Sequence, residues 1–73
     1  MFYFEDASLE EIMGYLGRWY NVNIDFERVE LYDIRLNFWA NRNAHPEEAV
    51  ELLNKLEKVR VDYQDGTITI KHI

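Results

Sequence analysis

Between Arg18 and Phe26 the chain reads RWYNVNIDF, and inside that stretch one hydrophobic period gives way to another. Up to Tyr20 the apolar residues recur every three or four positions, which is the spacing of one helix face. From Val22 to Phe26 they alternate every second position, which is the spacing of one strand face. Only Asn21 separates the two patterns. The same handover recurs where a helix ending near Leu56 meets Val59, Val61 and Tyr63. The spacing therefore predicts strand–helix–strand written twice, an α+β chain of order β-α-β-β-α-β-β.

Such a chain must build its core from little material. Its 73 residues form one domain, and a domain of that size buries only roughly 60% of its unfolded surface. The composition meets this with 48% hydrophobic and 15% aromatic residues, because large rings bury much area per residue. A net charge of −6 with scattered Lys and Arg argues against nucleic acid, since phosphate backbones need clustered cations. The same charge disfavours an anionic membrane surface, and no apolar run long enough to span a bilayer is present. The absence of cysteine removes disulfides, thiolate metal sites and a Cys nucleophile. A strand-like segment directly after Met1 reads as an excised domain with an added start.

The local signals are specific. Phe2 to Glu5 is extended and aromatic, a first strand. Ser8-Leu9-Glu10-Glu11 fits a capping box, the Ser8 hydroxyl accepting from the Glu11 amide and the Glu11 side chain reaching back. Leu9, Ile12, Met13, Leu16 and Tyr20 then follow one helix face. Gly14 and Gly17 weaken that helix by about 1 kcal/mol each relative to Ala, and leave room for a strand or the second helix to approach. Asn21 suits a left-handed C-terminal cap. Val22, Ile24 and Phe26 give a second strand with one face buried, Arg28 to Asp33 a mixed connection, and Ile34 to Ala40 a third strand.

Asn41 to Ala44 is polar and turn-like. Pro46 belongs at the first position of the second helix, with Glu47 and Glu48 at its positive dipole end. Ala49, Leu52, Leu53 and Leu56 mark its apolar face, with Val50 at the margin. Arg60 to Tyr63 and Thr67 to Lys71 read as strands joined by the hairpin signal Asp65-Gly66. The expected packing is two helices against small mixed sheets, closed by a C-terminal β-hairpin.

Catalytic chemistry finds no footing in these residues. The pairs Glu10/Glu11 and Glu47/Glu48 are explained by the helix dipole. His45 and His72 lack metal-ligand spacing, and Ser8, the only serine, is used as a cap. We expect no catalytic residue, no metal and no cofactor. Binding is a better candidate. By alternation Trp39 points away from Phe38, out of the apolar face, with Arg35 and Asn37 on the same side, and an outward Trp suits a protein contact. Five short strands also leave unpaired edges. The fifth strand, ending with the chain and presenting Thr67, Thr69 and Lys71 outward, is the expected one. Trp19, on the helix flank, is expected to be partly buried.

Taken together, Phe2 and Phe4, the Leu-rich helix, Arg18-Trp19-Tyr20, the V-x-I-x-F strand from Val22 to Phe26, and the Asp65–Ile70 hairpin end resemble the C-terminal domain of FecR-type anti-sigma regulators of Bacteroidetes. The likeness runs through essentially the whole chain and lies in the combination. It implies a fold similar to the secretin and TonB short N-terminal domain. It implies a role too: the periplasmic terminal module of a membrane-anchored regulator. Another part of that regulator would bind an extracytoplasmic-function (ECF) sigma factor. The partner of this module would be the signalling domain of an outer-membrane TonB-dependent transporter. No catalytic motif carries over. Two other readings stand beside it, a short N-terminal domain of such a receptor or of a secretin, and a small-ligand binding domain.

Overall fold

The computed structural model describes residues 2–41, 43 and 45–73, so Met1 and two positions of the expected 41–44 turn, Arg42 and Ala44, lie outside the described residues. The elements follow in the expected order: β1 (Phe2–Ser8), α1 (Leu9–Tyr20), β2 (Asn23–Phe26), a 3-10 segment (Val29–Asp33), β3 (Arg35–Ala40), α2 (Pro46–Lys55), β4 (Arg60–Gln64) and β5 (Thr67–Lys71). β1 and β3 pair antiparallel as one sheet, and the other three strands form a mixed sheet in the order β2-β5-β4. Residues of both helices and both sheets share one buried cluster, including Leu9, Ile12, Met13, Leu16, Phe38, Leu53, Val61, Ile68 and Ile70. Among the described residues no polar or charged residue is fully buried, so the core is held by apolar burial.

The first handover forms as its spacing predicts. The Ser8 hydroxyl accepts from Glu11 N–H at 3.2 Å and starts α1. Leu9 N–H donates to the Ile34 carbonyl at 2.8 Å, tying the same helix start to the chain entering β3. At the other end Asn21 is left-handed (φ 56°, ψ 50°), and Val22 N–H reaches back to the Gly17 carbonyl at 3.0 Å. That six-residue closure is a Schellman turn. It folds the chain so tightly that a Cβ on Gly17 would stand 2.9 Å from Ile24 Cγ1 and 3.3 Å from the Val22 carbonyl oxygen. Gly17 is thus the close approach expected of it. Gly14 is not, because the space beside it is open.

β1 runs further than Phe2–Glu5. Phe4 pairs with Phe38, but the next pairs are Ala7 with Leu36 and Ser8 with Arg35. Glu5 and Asp6 therefore oppose Asn37 alone, a β-bulge with Asp6 in the left-handed region at φ 48°. The extra residue breaks the period-two pattern, which is why the strand's second half is hidden in the sequence. Ala7 is buried beyond it, and Phe4 packs edge-to-face on Tyr15 of α1 at 5.6 Å.

α2 departs in the face it buries. Val50 is buried with Ala49 and Leu53, Leu52 is half-buried, and Leu56 is exposed. The helix ends at Lys55 and Glu57 turns left-handed, so Leu56 leaves the helical face before it can reach the core. β2 is likewise shallower than expected, with Ile24 and Phe26 half-buried; Phe26 meets Tyr32 edge-to-face at 4.5 Å. Asp65 (φ 53°) and Gly66 (φ 76°) close the β4–β5 hairpin, both positive as a type I′ turn requires.

Two measurements test this packing. In urea unfolding, Gly17→Ala is expected to destabilise by about 1–2 kcal/mol through overpacking against Ile24. Gly14→Ala should stabilise by up to about 1 kcal/mol, since only helix propensity changes there. The second concerns Tyr20, whose hydroxyl titrates above the ordinary tyrosine range because burial disfavours the phenolate and Glu48 at the start of α2 repels it. A pKa raised on folding means this contribution is whole below the unfolded value of about 10. It is lost as pH climbs from there through the folded value. Tyr20→Phe should flatten the fall in stability above pH 10 in alkaline unfolding curves; an unchanged fall would rule out Tyr20 as its source.

Candidate protein-binding surfaces

The structure divides the six residues singled out by alternation between two sheets. Arg35, Asn37 and Trp39 lie on the outer side of β3, whose burial alternates strictly with Leu36, Phe38 and Ala40 inside. Thr67, Thr69 and Lys71 lie on the outer side of β5 in the other sheet.

The edge expected at β5 is not there. β5 is the central strand, parallel to β2 on one side and antiparallel to β4 on the other. Its outward residues are half-buried by these neighbours, and Lys71 Nζ stands 3.5 Å from Asp62 Oδ2 of β4. The hairpin signal pairs β5 with β4, but β2 is more than 40 residues earlier, and no local pattern announces that pairing.

Two of the β3 residues also have structural work. Asn37 Oδ1 accepts from Asp6 N–H at 2.8 Å, and Arg35 Nη1 donates to the Asp6 carbonyl at 2.8 Å. Together they satisfy both main-chain groups of the residue that the bulge takes out of the ladder. Trp39 is different: it is 56% exposed, and directly opposite it in the register stands Tyr3, 64% exposed. Tyr3 was missed in the sequence although its signal is plain. It alternates outward between Phe2 and Phe4, and only the β1–β3 pairing reveals which ring it faces. The outer side of this sheet thus carries two large aromatic residues side by side, the kind of group that dominates protein interfaces. Trp19, expected to be partly buried, is instead exposed on the flank of α1, at 46%.

The concave features are shallow. An open groove of about 640 Å³ runs beside β4 and the chain's last residues, lined among others by Glu27, Asn54, Arg60, Asp62, Lys71 and His72. Several of its polar groups already bind one another. Asn54 accepts from Val61 N–H at 2.7 Å and donates to the Val61 carbonyl at 2.8 Å, Lys71 pairs with Asp62, and Glu27 accepts from His72 N–H at 3.2 Å. Among the described residues no three His, Cys, Asp or Glu stand together as a metal would require. Among the described residues no helix is long and apolar enough to cross a membrane.

The family described as FecR, C-terminal matches residues 1–70. The chain belongs to that family. No curated protein and no solved structure gives a match. Membership assigns this FecR C-terminal domain to anti-sigma regulatory signalling, and its mixed two-sheet fold agrees with the architecture expected from the sequence.

Because the aromatic pair sits outside the core, its loss should leave the fold intact. Tyr3→Ala and Trp39→Ala are each expected to lower stability by at most about 1 kcal/mol, the scale of a cross-strand pair. Phe38→Ala, one position away on the buried side, should cost about 3–5 kcal/mol. Comparable losses at Trp39 and Phe38 in urea unfolding would contradict an exposed Trp39.

Proposed function

We propose that this domain is a non-catalytic protein-interaction module of a transmembrane anti-sigma regulator. It works in the periplasm, receives the signal from the signalling domain of an outer-membrane TonB-dependent transporter, and passes it along the parent chain. Another part of that chain holds the ECF sigma factor. The observation that carries this reading is the family match over residues 1–70. The surface supports it: the exposed aromatic pair Tyr3 and Trp39, directly opposite each other in the β1–β3 register, suits recognition of a folded protein better than chemistry on a small molecule.

The geometry supports one way for such contact to work. Tyr3 and Trp39 stand on paired strands whose opposite faces are anchored by Phe38, Leu36 and Ala40 in the core. Rings held on a rigid sheet lose little freedom on binding, so more of their burial appears as affinity. Titrating the ¹⁵N-labelled domain with the transporter's signalling domain tests this. Shifts should centre on the amides of β1 and β3 and the Trp39 indole, and Trp39→Ala should weaken binding by about 2 kcal/mol. A spectrum unmoved at millimolar partner would overturn the proposal.

A further inference from the structure

The four outer strand edges of the two sheets are protected unequally. The β4 edge is closed near its start, where Asn54 of α2 takes both the N–H and the carbonyl of Val61. The β3 edge is capped by Lys58 Nζ, which donates to the Arg35 carbonyl at 3.2 Å. The β1 edge is bent by the bulge at Glu5–Asp6. Lysines, bulges and side-chain covers are the devices by which sheets avoid unwanted pairing.

β2 carries none of them. Asn23 N–H donates to the Gly66 carbonyl and Glu27 N–H to the Ile70 carbonyl, both at 2.8 Å. In a parallel ladder this turns Asn23, Asp25 and Glu27 toward β5, and leaves the main-chain groups of Ile24 and Phe26 facing outward. Among the described residues nothing hydrogen-bonds to that outward side. The strand contains no Lys and no Pro.

We infer that the β2 edge is a docking site for an extended segment of another protein in which basic and apolar residues alternate. Charge and pleat together select this occupant. The solvent face of β2 presents Asp25 and, next along it, Glu27. Asp25 has no ion pair among the described residues, whereas Glu27 meets Arg28 at 4.0 Å and accepts from His72 N–H at 3.2 Å, so Asp25 is the freer carboxylate. Basic side chains on a neighbouring strand would lie against these carboxylates as favourable cross-strand pairs. On the other face the half-buried Ile24 and Phe26 offer apolar neighbours for the alternate positions. A second copy fits badly: pairing β2 with itself about Asp25 sets carboxylate against carboxylate, and each copy carries −6. The site is separate from the Tyr3–Trp39 face and goes beyond the function proposed above.

The test uses the whole chain and a short capped peptide alternating Lys and Val, with its Glu and Val counterpart as control. In the free chain the Ile24 and Phe26 amides should exchange with deuterium much faster than Asp25. The Lys–Val peptide should slow those two amides and shift their resonances, and the Glu–Val peptide should not. Asp25→Lys with Glu27→Lys should lower affinity for the Lys–Val peptide by roughly tenfold and favour the Glu–Val one. An unchanged Ile68 amide resonance would show that the variant retains its fold. Ile24 and Phe26 amides as slow as Asp25 in the free chain, or no response to the Lys–Val peptide, would overturn the inference. So would equal response to both peptides, or protection that rises with chain concentration alone, which would assign the edge to a second copy. None of these outcomes bears on whether the aromatic face binds the transporter domain.

Discussion

The contact on which most of the structure depends is the one between the last turn of α1 and β2. Gly17 brings helix backbone against Ile24 at a distance no Cβ could share, and Asn21 reverses the chain in the left-handed conformation. That turn delivers β2 directly beneath the helix it has just left. From there β2 lies alongside β5, and the hairpin brings β4 with it. Residues of both sheets then share one buried cluster with the α1 side chains Leu9, Ile12, Met13 and Leu16. A small domain has no spare core with which to tolerate a looser junction.

A second organising theme is the treatment of main-chain groups that the sheets leave over. Asn54 stands in for a strand beside Val61, and Arg35 with Asn37 completes the main-chain bonding of Asp6 at the bulge. In each case a side chain supplies hydrogen bonds that a neighbouring strand would otherwise make, so the edge is satisfied without being extended. β2 stands out against that background. Its openness and its acidic face are the same strand's two properties, and together they define what can add to it.

The two surfaces proposed for binding differ in physical character. The Tyr3–Trp39 face offers ring area on a rigid support, which gives affinity through burial. The β2 edge offers directional main-chain bonds with charge for selection. Neither needs a cavity, and the open groove beside β4 has many of its polar groups engaged with each other. A regulatory domain of the FecR C-terminal family carrying two such surfaces has the means to contact one partner while a second segment is held elsewhere on it.

The sequence alone determined the order of the strands and helices, both caps of α1, the hairpin at Asp65-Gly66, the outward Trp39 and the family. All of these are written in neighbouring residues: period 3.6 against period two, a hydroxyl three positions from the amide it accepts from, two residues with positive φ. The tertiary structure decided that β5 is central, that β2 is the exposed edge, that Tyr3 faces Trp39, that Val50 is buried while Leu56 is not, and that Arg35 and Asn37 serve the bulge. Each of these depends on residues far apart in the chain. Strand order and register follow from which long-range pairing buries the most apolar surface, and a local hydrophobic pattern is compatible with several such pairings.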